Sequence, residues 1–139
     1  MTQYQITVYH NNDSRFMPYE NEHRLTATVS HWRDLPATEP ETLADWAWHV
    51  FNADLDHLEP NRTRPGGELD FLAACVYRLL RLRSLSVGDA IQVATDSETW
   101  WLACDSIGWR NIDPPANIDG QPLTAEKVYR HLHEQRQSQ

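Results

Sequence analysis

Ser84-Leu85-Ser86-Val87-Gly88-Asp89, followed after one strand and one turn by Trp100-Trp101-Leu102-Ala103-Cys104-Asp105-Ser106-Ile107-Gly108-Trp109, decides how this chain is read. A Val-Gly-Asp turn calls for positive φ at Gly88, which a residue without Cβ adopts freely. The turn feeds a strand predicted over 90–94. Thr95-Asp96-Ser97-Glu98 then makes a polar hairpin loop, and a second strand follows over 99–105. Gly108 marks a bulge through which residues 107–112 continue the strand, until Asp113-Pro114-Pro115 stops it. Trp100 and Trp101 are adjacent in a strand and so point to opposite faces. One of them belongs to the core.

Working outward, Tyr4, Ile6, Val8 and His10 alternate with Gln5, Thr7 and Tyr9, which predicts a strand over 3–10. The turn-rich Asn11-Asn12-Asp13-Ser14 follows. Alternation returns at 23–31, with Leu25, Ala27 and Val29 on one face. The two strands are expected to pair antiparallel, with Phe16, Met17 and Tyr19 packed in their connection. Thr38 and Glu41 have capping-box spacing, with Pro40 in the first turn. The helix predicted over 41–51 buries Leu43, Trp46, Ala47, Val50 and Phe51 and leaves Trp48 off that face. Residues 54–67 read as a long polar connection. A second helix over 68–83 turns Leu69, Leu72, Ala73, Val76, Leu79 and Leu80 inward, with Arg78, Arg81 and Arg83 near its end. A third, from 124 to 135, carries Val128, Tyr129 and Leu132. The expectation is a single α+β domain over 1–135, an antiparallel sheet with two or three helices packed on it, and a frayed tail at 136–139.

The chain has 139 residues, net charge −8 and a mean hydropathy of −0.65. No run approaches a membrane span, and Met1-Thr2-Gln3-Tyr4 does not open a signal peptide, so a cytoplasmic protein without a membrane role is expected. The acidic excess argues against direct nucleic-acid binding, which needs Lys and Arg. It is concentrated in Glu39, Glu41, Asp45, Asp54, Asp56, Glu59, Glu68 and Asp70, opposed there only by Arg62 and Arg64. Such a face steers a basic partner, imitates DNA phosphates, or simply keeps the protein soluble. Cys75 and Cys104 form no ligand motif and read as two small buried hydrophobes.

Catalytic chemistry finds little footing. Asp54, Asp56 and His57, with His49 upstream, are the best local metal cluster, but they match no zinc or calcium spacing. His131 and His133 lie about 200° apart on a helix and cannot share one ion. Asp105-Ser106 lacks a nucleophile elbow and a marked histidine base. Gly66-Gly67 is followed by Glu68, so no phosphate-cradling loop is present. No cofactor is expected and no catalytic residue is assigned.

The pattern of residues 84–89 and 105–109, together with the helix ending Val50-Phe51-Asn52, resembles the YodL-like family of small bacterial and mobile-element proteins. The match covers mainly residues 84–112. Relatives carry Ser where this chain has Gly88, and Phe where it has Trp109. The resemblance carries over no catalytic residue. It implies a small accessory protein, encoded on a mobile element and acting on a host protein in an anti-defence or regulatory role. The expected activity is therefore non-enzymatic binding of a protein partner through Asp89, Trp101, Asp105, Ser106 and Trp109. The alternative is a small metal-dependent hydrolase using Asp54, Asp56 and His57. The signature segments also admit a reading in which they only recognise each other and close the fold.

Overall fold

A computed structural model describes residues 1–124, so the helix expected over 124–135 and the tail at 136–139 lie outside the described residues apart from Thr124. Strand β1 (Thr2–Asn11) pairs antiparallel with β2 (Leu25–Leu35) on one side and with β3 (Ala90–Ala94) on the other. β3 pairs antiparallel with β4 (Thr99–Cys104), and β4 with β5 (Trp109–Asn111). Contrary to expectation, residues 107–112 do not continue β4 through a bulge: Asp105 to Gly108 form a hairpin turn, with Cys104 opposite Trp109 and Gly108 at φ 71, and the chain returns alongside β4. The short β6 (Ile118–Asp119) adds to β2 in parallel. The described sheet is thus β5-β4-β3-β1-β2-β6, with β1 at its centre. The architecture is α+β with the longer strands antiparallel, and β6 makes the sheet mixed.

Alternation decides the two faces. Tyr4, Ile6 and Val8 of β1 join Val29, Ile91, Val93 and Leu102 under the helices, while Tyr9 joins Leu25, Ala27, Ala90 and Trp101 on the opposite face. The parity of β2 switches because the register shifts between Val8 and Tyr9, leaving Thr28 without a Cα partner. The Thr28 hydroxyl donates to the Val8 carbonyl at 3.1 Å, which anchors the extra residue. Trp100 and Trp101 do face opposite ways: Trp101 is buried against Tyr9, and Trp100 packs against the helix-side core.

Helix α1 (Pro40–Asn52) buries Leu43, Ala44, Ala47, Val50 and Phe51, with Trp46 half-buried and Trp48 exposed, as its periodicity predicts. Burying side chains the size of Val50 and Phe51 stabilises the fold by about 1.5–3 kcal/mol each. The capping box does not form. Glu39 is the N-cap and makes no side-chain cap, Thr38 Oγ1 donates to Pro36 O at 2.7 Å, and the Thr38 N–H goes to the Tyr4 hydroxyl at 2.8 Å. A tyrosine from the sheet thus binds the N–H just ahead of the helix. The polar connection holds two short pieces, α2 (Leu55–Leu58) and a 3-10 turn (Glu59–Asn61), pinned by buried Leu58.

Helix α3 (Gly67–Leu79) is rotated from its expected phase. Ala73, Ala74, Val76 and Tyr77 are buried, while Leu69 (59% exposed), Leu72 and Leu79 face out. Polar anchors fix this rotation. Asp70 Oδ1 accepts from Arg33 Nη1 and Trp46 Nε1, each at 2.8 Å, and Tyr77 stacks on Phe51 at 4.5 Å. Residues 70, 73, 74 and 77 share one helical face, so these contacts turn the leucines away. The helix also ends earlier than expected, because Arg81 has φ 56 and breaks the run. In the β1–β2 connection Tyr19 is buried as expected, but Phe16 and Met17 are exposed, and Phe16 itself has φ 69.

His31 stands on the helix side of β2 against Phe51 (5.4 Å between centroids) and Trp46 (6.3 Å, edge-on), and its Nε2 is buried without a hydrogen-bond partner. Burial, aided by the Arg33 charge, pushes its pKa down to about 4. A folded pKa below the unfolded one contributes stability that is complete above about pH 6.5 and lost as pH falls towards 4. The melting temperature should therefore drop across that window, with up to about 3 kcal/mol at stake. His31→Phe should flatten the drop, leaving a smaller slope from His10, which burial also pushes down. An unchanged pH slope in His31→Phe would reject this assignment.

Candidate functional site

The two signature segments meet at the end of the sheet where β1 and β4 finish and β3 and β5 begin. The Gly88 N–H donates to the Cys104 carbonyl at 2.9 Å, and the Cys104 N–H donates to the Asp89 carbonyl at 2.8 Å. Asp89 is 1% exposed. Its carboxylate accepts from the backbone N–H of Asn11 (2.8 Å) and Ser86 (2.9 Å), and from Arg83 Nη1 (2.7 Å) and Nη2 (2.6 Å). Arg83 Nη2 also reaches the Asn11 carbonyl at 3.1 Å, and Asn11 Nδ2 donates to the Gly88 carbonyl at 3.0 Å. From α1, the Asn52 amide pairs with both backbone groups of Leu85, accepting from its N–H at 2.8 Å and donating to its carbonyl at 3.1 Å. Beside this network His10 Nε2 lies 2.8 Å from the Tyr77 hydroxyl, which donates to the Arg83 carbonyl. Desolvation raises the Tyr77 pKa, so the phenol stays protonated.

The residues chosen from sequence divide accordingly. Asp89 and Trp101 are interior, and the Asp89 carboxylate is fully engaged inside the fold. Asp105 is half-buried. Its Oδ2 pairs with Arg110 Nε at 3.2 Å, its Oδ1 is buried without a donor, and its N–H closes the β4–β5 hairpin turn onto the Gly108 carbonyl at 3.0 Å. Ser106 is exposed at the tip. Trp109 is half-buried and donates from Nε1 to Asp45 Oδ1 at 2.8 Å, with its ring edge-on to Trp48 at 6.5 Å and 85°.

Sequence reasoning missed the surface that surrounds these groups. Ile107 is 93% exposed, and Phe16 and Met17 are exposed at the same end of the sheet, where the Met17 carbonyl lies against Gly88. Asp45 and Trp48 join from α1. Their signal was present in the i, i+3 spacing on the polar face of that helix, but nothing local points that face at the hairpin. Trp109 forms a ridge between two recesses of about 360 Å³ each. One is lined by Asp45, Trp48, Val87, Cys104 and Asp105, the other by Glu39, Glu41, Asp45, Leu102 and Asn111. Burial first, then the Asp89 and Asp105 charges, push the Cys104 thiol up to about 11, which keeps it a protonated, unreactive wall.

Other features of the described residues carry less chemistry. Asp54, Asp56 and His57 are exposed on α2 and its cap and do not bring their ligand atoms together. The group that does is Glu20, Glu22 and His23 in the β1–β2 connection, within 4.8 Å of one another, where His23 Nδ1 already accepts from the Glu20 N–H. No histidine hydrogen-bonds Asp105 or Ser106 among the described residues. A groove of about 510 Å³ between β2 and α3 is lined by His31, Trp32, Leu69, Leu72 and Val76, with Thr124 on its rim. No helix among the described residues is long and apolar enough to cross a membrane.

Compared with protein-family models, curated proteins and solved structures, the chain matches none of them.

Two substitutions check the internal network. Gly88 has φ 99, and a Cβ there would lie 2.5 Å from the Met17 carbonyl oxygen. Gly88→Val should cost about 3 kcal/mol or more in urea unfolding, from backbone strain and the clash together. Asp89→Asn replaces one acceptor oxygen by a donor facing other donors and leaves Arg83 uncompensated; a loss of about 3 kcal/mol is expected. A loss below about 1 kcal/mol in either variant would show that the turn is not held as described.

Proposed function

We propose that this is a small non-enzymatic interaction protein that binds a protein partner through the sheet end bearing Ile107, Trp109 and Trp48. The observation that carries the reading is Ile107, almost fully exposed on a hairpin turn that a backbone hydrogen bond between Asp105 and Gly108 closes. A large apolar side chain held out by a defined turn, two residues from Trp109 and its edge-on contact with Trp48, has the composition of a binding patch. Of the residues chosen from sequence, Asp105, Ser106 and Trp109 reach this surface, Asp89 supports it from within, and Trp101 packs on Tyr9 on the other face of the sheet.

The resemblance of residues 84–112 to YodL-like proteins supports an accessory protein of a mobile element acting on a host protein in the cytoplasm. Net charge −8 supports a basic protein partner over direct contact with nucleic acid. Imitation of DNA phosphates by the acidic face is a special case of this reading. The metal-dependent hydrolase has no comparable support, since Asp54, Asp56 and His57 do not converge.

Affinity capture from host lysate tests the reading. The tagged protein should retain a stoichiometric partner. Ile107→Asp and Trp109→Ala should each reduce its recovery at least about tenfold, with Ile107→Asp leaving the melting temperature unchanged. A protein that stays a monodisperse monomer and retains nothing, or whose partner ignores both substitutions, overturns it.

A further inference from the structure

We infer that the recess between Trp48 and Trp109 receives an arginine side chain from a basic segment of the protein partner. This rests on the interaction reading above and specifies what that surface recognises. Asp45 and Trp48 stand one helical turn apart on the outer side of α1, and Asp105 and Trp109 face them from the β4–β5 hairpin. The bond from Trp109 Nε1 to Asp45 Oδ1 fixes the second indole, so the two rings meet edge-on at 85° and form two walls of the recess. Trp48 remains 39% exposed, which leaves part of the ring open to a visitor.

The charge around these rings is one-sided. Asp45 and Asp105 line this recess, and Glu39 and Glu41 line the one across the Trp109 ridge. No lysine or arginine lines either recess among the described residues. The nearby cations are already committed: Arg110 pairs with Asp105 and Arg83 with Asp89. Asp105 Oδ1 is a buried acceptor without a donor. Indole faces attract cations, and carboxylates at the rim add a Coulombic term that an anionic or neutral group cannot use. A planar guanidinium stacks on an indole and offers several donors to flanking carboxylates, whereas an ammonium offers a compact, strongly hydrated charge. Val87 and the apolar edge of Trp109 suit the aliphatic stem. Arginine therefore fits better than lysine, and phosphate is repelled.

Titration of the full chain with a short peptide of alternating arginine and glycine, followed by the indole N–H resonances, tests the assignment. The Trp48 and Trp109 signals should move, and a citrulline–glycine peptide of the same shape should leave them still. A lysine–glycine peptide should bind at least about threefold more weakly. Asp45→Asn keeps an oxygen to accept from Trp109 while removing the charge; it and Trp48→Ala should each weaken arginine-peptide binding about tenfold. Asp56→Asn removes the same charge outside both recesses and should change affinity less than about twofold. Equal effects of Asp45→Asn and Asp56→Asn would mean diffuse attraction and overturn the assignment. So would equal binding of the lysine peptide, or an unaffected Trp48→Ala. If the peptide fails while a captured partner still depends on Ile107, only the arginine assignment falls; if no partner is captured either, the interaction reading falls with it.

Discussion

The fold depends most on the buried Asp89 carboxylate and the charge that Arg83 brings to it. Taking both ions out of water costs several kcal/mol, which only a saturated set of hydrogen bonds offsets. Two backbone N–H groups and both terminal nitrogens of Arg83 supply that set. The donors come from the end of β1, from the turn itself and from the segment leaving α3, so one carboxylate joins three parts of the chain. Residues 80–89 contain no helix or strand, yet Asn52 binds both backbone groups of Leu85 and Asp89 accepts from the Ser86 N–H. The bonds to Asp89 raise the folded pKa of Arg83, so its guanidinium keeps its charge.

From that anchor the outer surface follows. Asp89 and Gly88 exchange backbone hydrogen bonds with Cys104, which places the end of β4. The hairpin turn at 105–108 begins at the next residue and delivers Trp109 to α1, where Asp45 holds it. Asn52, the last residue of α1, clamps Leu85 in the same irregular segment as Asp89. The helix is therefore tied to the signature near its middle and at its C-terminal end. A loop that looks free in sequence becomes a spacer of set length between an internal ion pair and an exposed Ile107.

Much of the sheet was legible because period-two alternation has a single physical cause, one face buried and one not. β1, the hairpin at 90–105 and the opposite facing of Trp100 and Trp101 follow from it directly. The phase of α1 was legible for the same reason at period 3.6. α3 was not, because its leucines do not decide its rotation. Asp70 and Tyr77 do, through partners on β1, β2, α1 and the segment after α3 that no local pattern names. The site was half legible. The signature marked the right end of the molecule and named Asp105, Ser106 and Trp109, but a Gly-Asp turn looks the same whether its carboxylate faces water or an arginine. Trp48 and Asp45 were invisible as site residues because their role arises only from the packing of α1 against the β4–β5 hairpin; the hairpin itself was misread as a bulge because a Gly marks either device.

That division of labour bears on how the surface can bind. Association costs free energy for every side chain and loop it must order. Here the ordering is done in advance: Asp105 and Gly108 close the hairpin turn, Asp45 fixes the Trp109 ring, and Asp89 fixes the Gly88 turn beside them. The apolar contact at Ile107 and the acidic recess beside it are offered already shaped, so a partner need supply little more than a complementary charge and a pocket. A surface of this kind gains selectivity from geometry rather than from area. A partner lacking a cation would cover Asp45 and Asp105 while leaving them only the Trp109 indole and Arg110 as partners, and that desolvation penalty discriminates against it.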